Sequence, residues 1–126
     1  MTGQAMVCVI EDNDDVRQLI CRALEGAGFA TISANDGDAG TRTALRTQPA
    51  VVITDMVMED CDGIETILEL KRAAPSMRIL AMSGGGERGG RELLDLAKCA
   101  GADDCLAKPF RIGDLVRKVT ALALAA

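Results

Sequence analysis

Five short apolar runs alternate along this chain with five segments of helical periodicity, and that alternation leaves few folds open. Residues 6–10 (MVCVI) form a run rich in β-branched side chains. The stretch after it sets Val16, Leu19, Ile20, Ala23 and Leu24 at i, i+3, i+4, i+7 and i+8, one face of a helix. Asn13 or Asp14 is placed to cap that helix, and Gly26 or Gly28 to supply a left-handed stop before a second strand at 29–33. The same reading gives a weak helix at 38–47, a buried strand at 50–54, a helix at 63–73 and a strand at 78–82. A helix at 88–100, a strand at 103–107 and a closing helix at 112–124 follow, the last with Leu115, Val116, Val119 and Leu122 on one face. Strands that are apolar on both faces and separated by helices predict a parallel sheet covered on both sides, joined by right-handed crossovers. The expectation is one α/β domain with its core at about 5–124 and no separate output domain, since 126 residues suffice for a single core.

Composition removes several classes of function. The chain has no histidine, which excludes serine–histidine and cysteine–histidine catalysis, histidine metal ligation and a phosphohistidine carrier role. Its five cysteines, Cys8, Cys21, Cys61, Cys99 and Cys105, form an odd set without a CxxC pair and read as reduced, packed thiols. A net charge of −5, no basic run, two Phe and no Tyr or Trp give nothing to attract or stack nucleic acid directly. No stretch approaches the roughly eighteen apolar residues of a membrane span, and the first residues lack a basic signal-peptide start, so a cytoplasmic location is expected.

In an open α/β sheet, ligands sit beyond the carboxyl ends of the strands, near the point where strand order reverses. The residues to question are therefore Glu11 and Asp12, Asp55, Ser83 and Lys108. Singly, each has a bland reading. Adjacent acids are most often a solvated loop or a favourable helix N-terminal charge, Ser83 before Gly84, Gly85 and Gly86 could be a turn, and Lys108-Pro109 a surface lysine before one. Asp55 is harder to dismiss, because a carboxylate closing the buried run VVIT needs a partner. Convergence of three acids brings like charges together unless a cation binds, and hard oxygen donors with open coordination suit Mg²⁺ (or Mn²⁺). A hydroxyl at Ser83 and an ammonium at Lys108 would then supply the charge stabilisation that phosphoryl transfer mostly needs.

The segments VCVIEDND, VVITDMVMEDCDG, ILAMSGG and GADDCLAKPF resemble, in order and spacing, the acidic-pair, phosphoacceptor, hydroxyl and lysine motifs of response-regulator receiver domains of two-component systems. The resemblance covers essentially the whole chain and is similar in kind to single-domain chemotaxis regulators. It implies a flavodoxin-like (βα)₅ sheet of order 2-1-3-4-5. It also implies that Asp55 is the phosphoacceptor, that Asp12, Asp55 and the backbone carbonyl of Val57 bind Mg²⁺ directly and Glu11 through water, and that Ser83 and Lys108 hold the phosphoryl oxygens. The Lys108–Pro109 peptide is then expected to be cis. Two positions depart from the pattern: Glu59 stands where a proline is usual, and Cys105 where an aromatic switch residue is usual. Activation is accordingly expected to run through the glycine-rich stretch Ser83, Gly84, Gly85, Gly86 and the helix after it, with Cys105 a passive packing residue.

The leading expectation is a binding switch that takes a phosphoryl group from a histidine kinase or histidine phosphotransfer protein. It would signal through the surface of the fourth helix, fifth strand and fifth helix, as a stand-alone regulator, monomeric or weakly dimeric. A receiver module excised from a hybrid histidine kinase would look the same. A Mg²⁺-dependent phosphohydrolase working through an aspartyl phosphate is a second class, but it usually needs a further acid beside the nucleophile, where this chain has Met56 and Val57. A flavodoxin-like cofactor binder lacks aromatic residues to sandwich a flavin.

Overall fold

The computed structural model describes residues 4–58, 63–84 and 90–125. Five β-α units follow one another: β1 (Met6–Ile10), α1 (Asp14–Gly26), β2 (Ala30–Ala34), α2 (Gly37–Thr47), β3 (Val51–Asp55), α3 (Gly63–Ala73), β4 (Arg78–Gly84), α4 (Gly90–Ala100), β5 (Asp104–Lys108) and α5 (Ile112–Ala125). The strands are parallel in the order β2-β1-β3-β4-β5, as the resemblance implies. Strand order therefore reverses between β1 and β3, and that crevice is where such a sheet offers a ligand site.

Period-two alternation of the strand side chains builds two cores. Cys8, Ile10, Val52, Ile79 and Ala81 face one way and meet Ala44 of α2, Ile67 and Leu70 of α3 and Ala97 of α4. Val7, Val9, Val51, Ile53, Leu80 and Met82 face the other way and meet Ile20 and Leu24 of α1 and Leu115 and Val119 of α5. The central strands β1, β3 and β4 are buried on both faces, which is why they read as unbroken apolar runs. Burial pushes the Cys8 thiol up to about 12, and Cys8, Cys21, Cys99 and Cys105 are all free thiols.

The boundaries fall within two residues of those expected, and the shift at the end of β4 concerns the site. Helix α1 is capped by Asn13, whose Oδ1 accepts from the Val16 amide at 3.0 Å. Its stop uses Gly28, with φ of +100°. Strand β4 runs two residues further than expected, because Ser83 and Gly84 find ladder partners in Ala107 and Lys108 of β5. Asp55, Ser83 and Lys108 thus lie within the last two residues of their strands rather than after them, where the backbone ladder fixes them. No helix among the described residues is long and apolar enough to cross a membrane.

Candidate functional site

Each acid of the site is delivered by a strand end. Glu11 follows β1, still tied to β2 by its amide, which donates to the Ala34 carbonyl at 3.1 Å. Asp55 closes β3 in register with Met82 of β4, and the next amide, Met56, donates to the Met82 carbonyl at 2.8 Å. Glu11 is 1% and Asp55 7% exposed. Carboxylate oxygens of Glu11, Asp12 and Asp55 all lie within 4.8 Å of one another.

Lys108, the last residue of β5, reaches across to them. Its Nζ donates to Glu11 Oε1 at 2.7 Å and to Asp55 Oδ2 at 3.3 Å. The other Glu11 oxygen accepts from the Asn13 amide at 3.1 Å. Of its two partners, Glu11 is the nearer. Burial pushes the Glu11 carboxyl above the usual carboxylate range; the bonds from Lys108 and the Asn13 amide offset part of this, and Asp55 adds to the rise. Burial also works against the Lys108 ammonium, but Glu11 and Asp55 overcome it and raise its pKa, so it stays charged.

Three converging carboxylates facing one ammonium leave an excess of two negative charges, which a divalent cation matches. All three offer hard oxygen donors, the set Mg²⁺ prefers. The residues present fit that ion.

Ser83 pairs in the ladder with Ala107, one residue beyond the Met82 that lies level with Asp55. It is 1% exposed, and its Oγ has no hydrogen-bond partner among the described residues. A buried hydroxyl in that condition is costly, and native proteins seldom keep one without a use. Gly84 closes β4; Gly85 and Gly86, like Glu59 and Cys61, lie outside the described residues. Val57 is 61% exposed, beside the crevice. The Lys108–Pro109 peptide is cis. Cys105 packs against the core under α4, its Sγ 3.7 Å from the Leu94 carbonyl, and burial raises its pKa. Sequence reasoning missed Arg17, whose guanidinium reaches the Glu11 carbonyl. Its signal was a cation in the first turns of a helix, where the dipole disfavours one.

A doubly wound sheet with a carboxylate cluster and a lysine at its switch point defines a class of phosphoryl-accepting signalling modules. The chain belongs to the response regulator receiver domain family, which matches residues 7–120. It is 34% identical over 110 residues to the KDP operon transcriptional regulatory protein KdpE of Escherichia coli, covering 86% of this chain and 47% of that protein. To the transcriptional regulatory protein PrrA of Mycobacterium leprae it is 33% identical over 116 residues, covering 92% and 48%. The chain thus spans about half the length of these curated relatives. Among solved structures, the receiver domain of NtrX from Brucella abortus superposes with a TM-score of 0.88 at 25% identity, covering 95% of this chain and 99% of that one. Receiver domains are signalling switches rather than conventional enzymes, and response regulators take their phosphoryl group from histidine kinases.

Proposed function

We propose that Asp55 is the phosphoacceptor of this receiver, taking a phosphoryl group from the phosphohistidine of a kinase or phosphotransfer protein. The observation that carries this reading is the convergence of the Glu11, Asp12 and Asp55 oxygens within 4.8 Å, with the Lys108 ammonium bridging Glu11 and Asp55. An oxygen of the Asp55 carboxylate attacks phosphorus; the donor's N–P bond breaks and its electron pair leaves with the imidazole, giving an acyl phosphate. A Mg²⁺ held by Asp12 and Asp55, with Glu11 behind it and the Val57 carbonyl as a further ligand, would neutralise charge on the phosphoryl oxygens.

The chain's own groups do the rest. Lys108, already 3.3 Å from Asp55 Oδ2, needs only to transfer its attention from Glu11 to the incoming phosphoryl oxygens. Ser83 Oγ, now without a partner, donates to one of them. Satisfying that hydroxyl biases the end of β4 and the helix after it, so the signal leaves through the α4–β5–α5 surface to a downstream protein. Self-catalysis is limited to phosphorylation from small donors and slow hydrolysis of the acyl phosphate. Whether the module acts alone or within a longer regulator or hybrid kinase, the same site serves; both curated relatives are named as transcriptional regulators.

Incubation with acetyl phosphate and Mg²⁺, followed by intact-mass measurement, tests the reading. One phosphoryl increment is expected in the wild type, and none in Asp55→Asn or with a chelator present. Incorporation at the wild-type level in Asp55→Asn would overturn the assignment, and turnover of a phosphomonoester in excess over the protein would favour a phosphohydrolase.

A further inference from the structure

We infer that Arg17 is a positioning residue for the metal-holding acids, acting as a clamp on the turn that carries Asp12; this rests on the proposed Mg²⁺ site. Arg17 lies in the fourth residue of α1, where a cation opposes the helix dipole. Side chains on a helix lean toward its N-terminus. Its guanidinium accordingly turns back over the β1–α1 turn: Nη1 donates to the Glu11 carbonyl at 2.9 Å and Nη2 to Asp14 Oδ1 at 2.5 Å. The two acceptors stand on either side of Asp12. One fixes the Glu11–Asp12 peptide at the end of β1, and the other fixes the first residue of α1. The Asn13 side chain, capping Val16, and the Asn13 amide, bonded to Glu11 Oε2, complete the turn.

An ordinary surface ion pair would look different. Arg17 and Asp14 are an i,i+3 pair, and so are Arg117 and Asp114 on α5. The Arg117 side chain, however, is 71% exposed, whereas that of Arg17 is 17% exposed and also spends a donor on backbone at the site. A planar fork can hold two acceptors at fixed separation, which a lysine ammonium on a flexible stem does less well. Groups that orient a ligand without touching the metal typically govern its affinity by about tenfold to a hundredfold.

The test is calorimetric titration of Mg²⁺, since the chain has no Trp or Tyr to report by fluorescence, with melting temperature in chelator measured alongside. Arg17→Ala is expected to weaken Mg²⁺ binding about tenfold or more. Arg17→Lys should fall between it and the wild type, and Arg117→Ala should match the wild type. Metal affinity of folded Arg17→Ala within about twofold of the wild type, whatever its melting temperature, would overturn the clamp. If Arg17→Ala does not fold, Arg17→Lys decides: unchanged affinity there overturns it and a weakened one supports it. A wild type that binds no Mg²⁺ would instead remove the metal site itself, a different failure.

Discussion

On the proposed reading, Ser83 separates the resting fold from the phosphorylated one. Its hydroxyl is buried and has no partner among the described residues, so burial there brings no compensating bond. Removing it should leave the unphosphorylated domain unchanged or slightly stabler, within about 0.5 kcal/mol. The phosphorylated form is where the loss must show, because a hydrogen bond to a charged oxygen is worth about 1.5–3 kcal/mol. Ser83→Ala is therefore expected to melt like the wild type before phosphorylation but to gain less stability on phosphorylation, as differential scanning calorimetry of the two forms would show. A resting variant destabilised by more than about 1 kcal/mol would mean that Ser83 already has a structural partner. Lys108 carries the complementary lesson. That a lysine after the fifth strand would face the acids was legible in the sequence; its preference for Glu11 over Asp55 was not. The choice depends on how far β1, β3 and β5 each extend, a matter of register that no single motif encodes.

The element that fixes Asp55 from the other side is α3, and the contact between them is nearly backbone on backbone. Gly63, its first residue, donates its amide to the Met56 carbonyl at 3.0 Å. A Cβ there would sit 2.5 Å from the Asp55 carbonyl oxygen and 2.8 Å from Met56 Cα, and backbone atoms in a central strand cannot step aside. Gly63→Ala should push α3 away from β3, costing about 2 kcal/mol or more and displacing the Asp55 carboxylate with it. Gly113→Ala, in the first turn of α5 with nothing within 4 Å of the new methyl, should instead stabilise the fold by about 0.5 kcal/mol. Chemical denaturation of both variants checks the pair, and equal effects would show that close approach is not what Gly63 serves. At this scale the sequence was highly legible, because strand and helix patterns are local. The five units could be read from spacing, which left Asn13 or Asp14 to cap α1 and Gly26 or Gly28 to stop it; the structure uses Asn13 and Gly28. The extra length of β4 could not, since Ser83 and Gly84 become strand only by virtue of β5 beside them. Nor could the left-handed Gln48 that ends α2, a conformation the chain gives to glycine at Gly28 and Gly101.

Across the whole molecule, the two ends of the sheet are treated in opposite ways. The carboxyl end holds converging acids and a hydroxyl without a partner among the described residues, an arrangement suited to a ligand. The amino end is closed by a cluster around Asp103, which accepts from the Ile79 amide at 2.8 Å, Lys71 Nζ at 2.9 Å and Arg78 Nη1 at 3.4 Å. Lys71 also donates to the Met77 carbonyl, and Arg78 to the Ala125 carbonyl at the end of α5, so one carboxylate ties together α3, β4, β5 and α5. Burial pushes the Asp103 carboxyl up, but Lys71, the Ile79 amide and Arg78 outweigh it and hold the group below its ordinary 3.8. A pKa depressed on folding contributes stability that is fully present above the unfolded value and is lost as pH falls through the folded one. Asp103→Asn keeps an acceptor for the Ile79 amide but removes the charge and one acceptor oxygen, so it should cost about 2 kcal/mol near neutrality. That gap between wild type and variant should hold constant from about pH 5 upward, begin to shrink as pH falls past the ordinary 3.8 and close only below the lower folded value. Mg²⁺ should leave the gap unchanged, because the proposed cation site and Asp103 lie at opposite ends of the strands. Urea unfolding at stepped pH, with and without Mg²⁺, measures both. A gap that persists unchanged down to about pH 3 would show that the Asp103 charge contributes nothing to holding the amino end closed.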